Sequence, residues 1–191
     1  VHVAVVAEGY ETFVSSGPLA TVTVTQRVVT VTLNETNKTY GAATPDWTVK
    51  GVDGLVGTDV LAGDPGAIVG DEPTDVSGSP HEVTVGPGTL SAGDNYVIVV
   101  KPAKLTVDPA PITASADDVT KEYDGISTNV VVTVTEPTGV ELVFEYSYDR
   151  ETWFAEDDFP GYVNPTNETP VWFAVTDPAG NYLPATNSAS V

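Results

Sequence analysis

The chain has 191 residues, with 27 acidic side chains against 7 basic ones, a net charge of −20, and neither Cys nor Met. That balance lacks the basic footprint that phosphate contacts require, which excludes nucleic acid as a partner, and an anionic membrane surface would repel it. No apolar run reaches the roughly 20 residues of a membrane helix, so no membrane insertion is expected within this segment.

Val and Thr dominate, and β-branched side chains suit a pleated sheet better than a helix. The 17 Gly and 15 Pro are spread along the chain as punctuation between short segments. The expectation is an all-β protein. Residues 1–7 (VHVAVVA) have strand character, and 19–25 (LATVTVT) and 28–33 (VVTVTL) alternate with the period of a half-buried strand. Residues 34–41 (NETNKTYG) read as a polar connection. Strands are expected at 46–50, near 59–62 within a Gly-, Asp- and Pro-rich stretch at 51–80, and at 81–85, 95–100 and 103–107. The apolar run at 95–100 (NYVIVV) predicts a central strand buried on both faces. DPAP at 108–111 predicts a short, stiff joint, because proline fixes φ and restricts the residue before it. Beyond it, strands are expected at 112–116, 129–135, 140–147, 170–176 and 185–191, with EPTG (136–139) and YDRET (148–152) as hairpin turns.

Two internal similarities organise these elements. VVTVTLNETNKTYG (28–41) resembles PITASADDVTKEYDG (111–125): a strand, a polar stretch, then Lys, a variable residue, Tyr and a nearby Gly, about 80 residues apart. VHVAV (1–5) matches VWFAV (171–175), AEGY (7–10) resembles AGNY (179–182), and PLATVTV (18–24) resembles PATNSASV (184–191). Residues 1–27 are therefore expected to be the C-terminal strands of a partial repeat, followed by one domain at 28–108 and another at 109–191. Two strands cannot bury an apolar face alone, so the first segment is expected to pack against preceding chain, to dock on the next domain, or to complete a sheet in a neighbouring molecule.

KTYGAATPDW (38–47), VKGVDGLVGTDVL (49–61), GTLSAGDNYVIVV (88–100) and AKLTV (103–107) occur in order, and with them residues 28–108 resemble the MBG repeat of bacterial surface proteins in its YG form. KEYDG (121–125), FEYSYDRETWF (144–154) and VWFAV (171–175) make 109–191 similar to an immunoglobulin-like repeat of Gram-positive surface proteins. The resemblance implies tandem immunoglobulin-like β-sandwich domains in a linear array. It implies an extracellular, cell-surface location and partners among neighbouring repeats of the same polypeptide or like subunits. The function it implies is a structural stalk or spacer of a surface adhesin. Two alternatives stand beside it: a subunit of an extracellular filament joined by strand complementation, and an adhesive module for a host or cell-surface glycan or protein.

No catalytic activity is expected. His2 and His81 fall in different units, and no HExxH, GxSxG, GxGxxG or P-loop pattern occurs. No cofactor is expected, with Ca²⁺ as the one ion the acidic pairs could hold, and Asp108, Asp117 and Asp118 near the Pro-rich joint are the candidate ligands. Lys38 and Lys121 share a repeat position and are candidates for Lys–Asn or Lys–Asp isopeptide cross-links beside a buried acid. Their alternative is a stem packed over Tyr40 or Tyr123 with the ammonium in water. Those two tyrosines are expected to pin the first strand of each sheet at the core edge. Trp47, Trp153 and Trp172 are expected core anchors, while Tyr146, Tyr148 and Trp153 are the candidate carbohydrate-stacking set.

Overall fold

A computed structural model describes residues 4–5, 13–14, 23–164 and 168–191. The protein is all-β. The short strands β1 (Ala4–Val5) and β2 (Phe13–Val14) pair antiparallel with each other. The rest of the predicted strand at 1–7, and residues 19–22 of the one at 19–25, lie outside the described residues. Thr23, Val24 and Thr25 are exposed and form no strand.

The first unit holds β3 (Arg27–Leu33), β4 (Thr36–Thr39), β5 (Val49–Asp53), β6 (His81–Val83), β7 (Tyr96–Val100) and β8 (Ala103–Asp108). They form two three-stranded sheets, ordered β5-β3-β7 and β4-β8-β6. β3 runs parallel to β7, and β4 parallel to β8. The alternation of β3 and β8 does what period two dictates: Val29, Val31 and Leu33 from one sheet meet Ala103 and Leu105 from the other, and Trp47, Val83, Val85, Leu90 and Tyr96 complete the core.

The second unit holds β9 (Ala110–Pro111), β10 (Thr113–Ala116), β11 (Val132–Glu136), β12 (Val143–Ser147), β13 (Phe154–Ala155), β14 (Pro170–Thr176), β15 (Tyr182–Leu183) and β16 (Ala185–Ser190). A four-stranded antiparallel sheet, β13-β12-β14-β16, accompanies the pairs β10-β11 and β15-β9. Val171, Phe173 and Val175 of β14 are fully buried and pack with Ile112, Val130, Tyr146 and Ala189. The buried apolar residues thus form two separate clusters, one in each unit.

Several expectations are corrected. The run at 95–100 is an edge strand, β7, with Val97 and Val99 on its exposed face. It is apolar on both faces, but only one face is covered. The polar stretch at 34–41 contains β4, which is held by backbone pairing to β8 and needs no apolar alternation. EPTG is no hairpin turn: the strand before it, β11, pairs with β10, and the strand after it, β12, joins the other sheet. Position 62 makes a single bridge to Ser91 where a strand was expected. YDRET does close a hairpin, β12 with β13. There Asp149 accepts the backbone N–H groups of Thr152 first and then Glu151, which hold its carboxyl below the usual range.

The two units share a plan that the first similarity only partly revealed. Arg27 N–H donates to the Asn95 carbonyl in the first unit, and Ala110 N–H donates to the Asn181 carbonyl in the second. The parallel pair Arg27↔Tyr96 has its counterpart in Ala110↔Tyr182. In both units the motif glycine after the Lys-x-Tyr triplet adopts positive φ, +78° at Gly41 and +76° at Gly125, a left-handed turn that a Cβ would strain.

Candidate functional site: the joint between the units

β8 ends at Asp108 and β9 begins at Ala110, so Pro109 is the one residue of the connection outside a strand. Both sides of that link are held. The Asp108 carbonyl accepts the Tyr40 N–H at 2.8 Å, and its carboxylate accepts the Asn37 side-chain amide at 3.1 Å. One residue on, Ala110 N–H donates to the Asn181 carbonyl at 3.0 Å. The chain enters the second unit already hydrogen-bonded on each flank.

The loop at 177–182 supplies the second unit's side of the contact. Asp177 accepts the N–H groups of Ala179 and Asn181, an acidic turn cap that fixes the loop. Asn181 is buried, and its side-chain oxygen accepts the Val76 N–H of the first unit at 2.9 Å, satisfying a group that would otherwise be costly to bury. Beside it, Tyr40 of the first unit meets Tyr182 of the second edge to face, with ring centres 5.2 Å apart and planes at 74°. Burial pushes the Tyr182 phenol above its ordinary pKa, with Tyr40, Asp177 and Glu136 adding to the shift. An aromatic pair of this geometry contributes about 1 kcal/mol beyond its area, and each neutral hydrogen bond about as much again. The joint is a small polar and aromatic clamp across a link of one residue.

Tyr40 therefore does not pin its own sheet at the core edge; its ring serves the next unit. Tyr123, its repeat counterpart, is 67% exposed. Asn181, Tyr182 and Val76 were missed. The signal for the first two was present: Asn-Tyr after a Gly-containing turn occurs at 95–96 and again at 181–182. Val76 contributes only a backbone N–H, which no sequence pattern marks.

The other predicted residues are dispersed. Asp108 is engaged by Asn37, Asp118 accepts the Ser190 N–H at 2.7 Å, and Asp117 is exposed in the loop after β10. Among the described residues no group of three or more His, Cys, Asp or Glu side chains comes together, so the three aspartates are not gathered into one cluster. A carboxylate spent on a backbone amide or a side-chain amide is oriented for that partner.

Lys38 is buried and forms an ion pair with Glu72, whose carboxylate also accepts the Thr44 hydroxyl at 2.6 Å. The Lys38 hydrogen bond first, then that of Thr44, hold Glu72 below the usual carboxylate range. Its partner is a Glu, where the cross-link reading needs Asn or Asp beside a buried acid. Lys121 pairs with Asp124 at 2.9 Å, three positions along the same exposed loop, and donates to the Ile126 carbonyl. That arrangement joins no two strands.

Tyr146 is buried in the second core, where desolvation raises its phenol pKa, so it offers no face to a sugar. Tyr148 packs between Phe159, Tyr162 and Phe154 and donates to the Gly161 carbonyl at 2.9 Å. The stacking set is thus split between a core residue, an aromatic cluster and the half-buried Trp153. Trp47 is a core anchor as expected. Trp172 is half-buried, with the Arg150 guanidinium 4.4 Å above its ring. The strand-complementation reading places its incomplete edge in residues 1–27, most of which lie outside the described residues.

Residues 29–106 match the family model described as MBG domain (YGX type). No curated protein and no solved structure matches the chain.

Proposed function

We propose, from the premise that residues 29–106 are an MBG domain of the YGX type, a repeat module of bacterial surface proteins, that this chain is a structural spacer of an extracellular cell-surface protein. Its work is mechanical: it holds successive β units at a restricted angle and acts on no substrate. The observation that carries this reading is the joint. A link of one residue, Pro109, is flanked by strands and clamped by Val76–Asn181 and Tyr40–Tyr182. Domain pairs in a chain move relative to one another unless their interface resists it. Here the link length and the clamp both supply resistance. The net charge of −20 adds mutual repulsion between neighbouring molecules and so keeps such spacers apart. Partners in this reading are neighbouring repeats of the same polypeptide.

The test is the distribution of distances between two spin labels, one on an exposed position of each unit. The native chain gives a narrow distribution, and the double variant Tyr40→Ala, Asn181→Ala broadens it while each unit keeps its own melting transition. A distribution equally wide in both proteins would remove the restricted-angle role.

A further inference from the structure

The first unit has one edge strand that lacks the usual protection. β7 lies at one end of the order β5-β3-β7, and all five of its residues, Tyr96–Val100, are apolar or aromatic. Sheet edges are ordinarily guarded by charge, irregularity or brevity. Of the unit's other edge strands, β5 carries Lys50, Asp53 and a register shift, β6 is three residues long with Glu82, and β4 has only polar side chains.

The backbone of β7 is half used. Arg27 N–H donates to the Asn95 carbonyl and Lys101 N–H to the Val31 carbonyl, so residues 95, 97, 99 and 101 turn their polar groups toward β3. By the same period of two, Tyr96, Ile98 and Val100 turn theirs to the open side. Tyr96 N–H closes a turn on the Gly93 carbonyl, whereas the N–H and C=O groups of Ile98 and Val100 have no partner among the described residues. On the outer face of the sheet Val97 and Val99 are 42% and 46% exposed, and Val28, the β3 partner of Val97, is 54% exposed.

Charge narrows what this edge can take. Asp94 and Lys101, both exposed, bound the strand, so the segment is balanced in a chain of net charge −20. A copy laid parallel would set Asp94 against Asp94 and Lys101 against Lys101. A copy laid antiparallel sets the acidic end of each strand beside the basic end of the other.

We propose that β7 is a self-association edge whose occupant is β7 of a second copy, antiparallel and centred on Ile98. In that register Ile98 exchanges both backbone bonds with its own counterpart, Tyr96 faces Val100, Val97 faces Val99, and Lys101 faces Asn95 with Asp94 beside it. The contact is isologous, and the two three-stranded sheets become one continuous sheet with Val28, Val97 and Val99 of both copies on one face. Unpaired N–H and C=O groups along an extended edge recruit the strand, and the alternate side chains set its specificity. The proposal goes beyond the spacer role and does not depend on it.

The chain has no Cys, so cross-linking of the full chain can read the register. Directly opposed residues of a non-hydrogen-bonded antiparallel pair stand about 4.5 Å apart at Cα, within disulfide reach. Val97→Cys mixed with Val99→Cys, under oxidised glutathione, should give a covalent dimer that neither variant forms by itself. In sedimentation equilibrium the native chain should show a dimer fraction that rises with concentration. Val99→Lys should abolish it, and Val60→Lys, the same added charge on a 72% exposed valine away from the edge, should leave it intact. Both units should keep their melting transitions in each variant. A native chain that stays monomeric, equal cross-linking in the mixture and in each variant alone, or self-linking that exceeds the mixture would overturn the proposal, the last because it marks a parallel or shifted pairing.

Discussion

The two halves of this molecule carry the same Lys-x-Tyr motif and put it to different uses. In the first unit Lys38 is buried and paired with Glu72, and Tyr40 packs on the neighbouring unit. In the second, Lys121 and Tyr123 sit on an exposed loop, and the lysine's partner is the nearby Asp124. The motif's turn is the same in both, with its glycine at positive φ. What differs is its setting: in the first unit Lys38 lies on β4, paired along its length to β8, while Lys121 and Tyr123 lie in no strand. A short motif fixes local geometry, but burial and ion pairing depend on what the rest of the fold lays against it.

The largest effects should come from breaking one core and sparing the other. Phe173→Ala removes a fully buried ring from the second cluster and should cost about 3–5 kcal/mol, while Val31→Ala in the first should cost about 2 kcal/mol. Calorimetry should show each substitution lowering one of two transitions. If either lowers both equally, the cores are not independent. Next comes the lysine pair. Lys38→Ala removes a buried stem and a charge-assisted bond, a loss of about 1–2 kcal/mol once the partial exposure of Glu72 is allowed for. Lys121→Ala should leave the midpoint where it was, and equal losses at the two sites would erase the contrast.

A smaller effect lies at the joint. A double-mutant cycle on Tyr40→Ala and Tyr182→Ala should return a coupling of about 1 kcal/mol between the units. A coupling indistinguishable from zero would mean the rings touch without holding. The finest effect is a titration. Glu72 is held below the ordinary carboxylate range by Lys38 and Thr44. A folded value lower than the unfolded one gives stability that is fully present above the unfolded pKa and is lost as pH falls through the folded value. Acidification should therefore weaken the native first unit more than the Lys38→Met variant, in which the Glu72 carbon-13 titration moves back up toward the ordinary range. A titration unmoved by that substitution would show that the pair contributes nothing.

The strands at 28–33 and 103–107 were legible because alternation is written into the chain: successive Cβ atoms point to opposite faces, and one covered face imposes period two. The run at 95–100 misled for the same reason, since an apolar residue at every position is compatible with two covered faces and does not require them. The polar strand β4 gave no alternation to read. Of the joint, the Pro-rich link at 108–111 and the pair of motif tyrosines were visible, but the contact of Tyr40 with Tyr182 was not. It joins residues far apart in the chain through an orientation that neither residue encodes.

By itself, then, the sequence determined the all-β class and the position of the short Pro-containing link, consequences of nearest-neighbour stereochemistry and local pattern, and its motifs carried the resemblance to a surface repeat. Tertiary structure alone decided which strands pair, which apolar faces are covered, which carboxylates are already committed to backbone or side-chain donors, and that Asn181 and Tyr182 close the joint. These are properties of groups brought together by the chain's return on itself, and their energy depends on burial and direction that no linear spacing specifies.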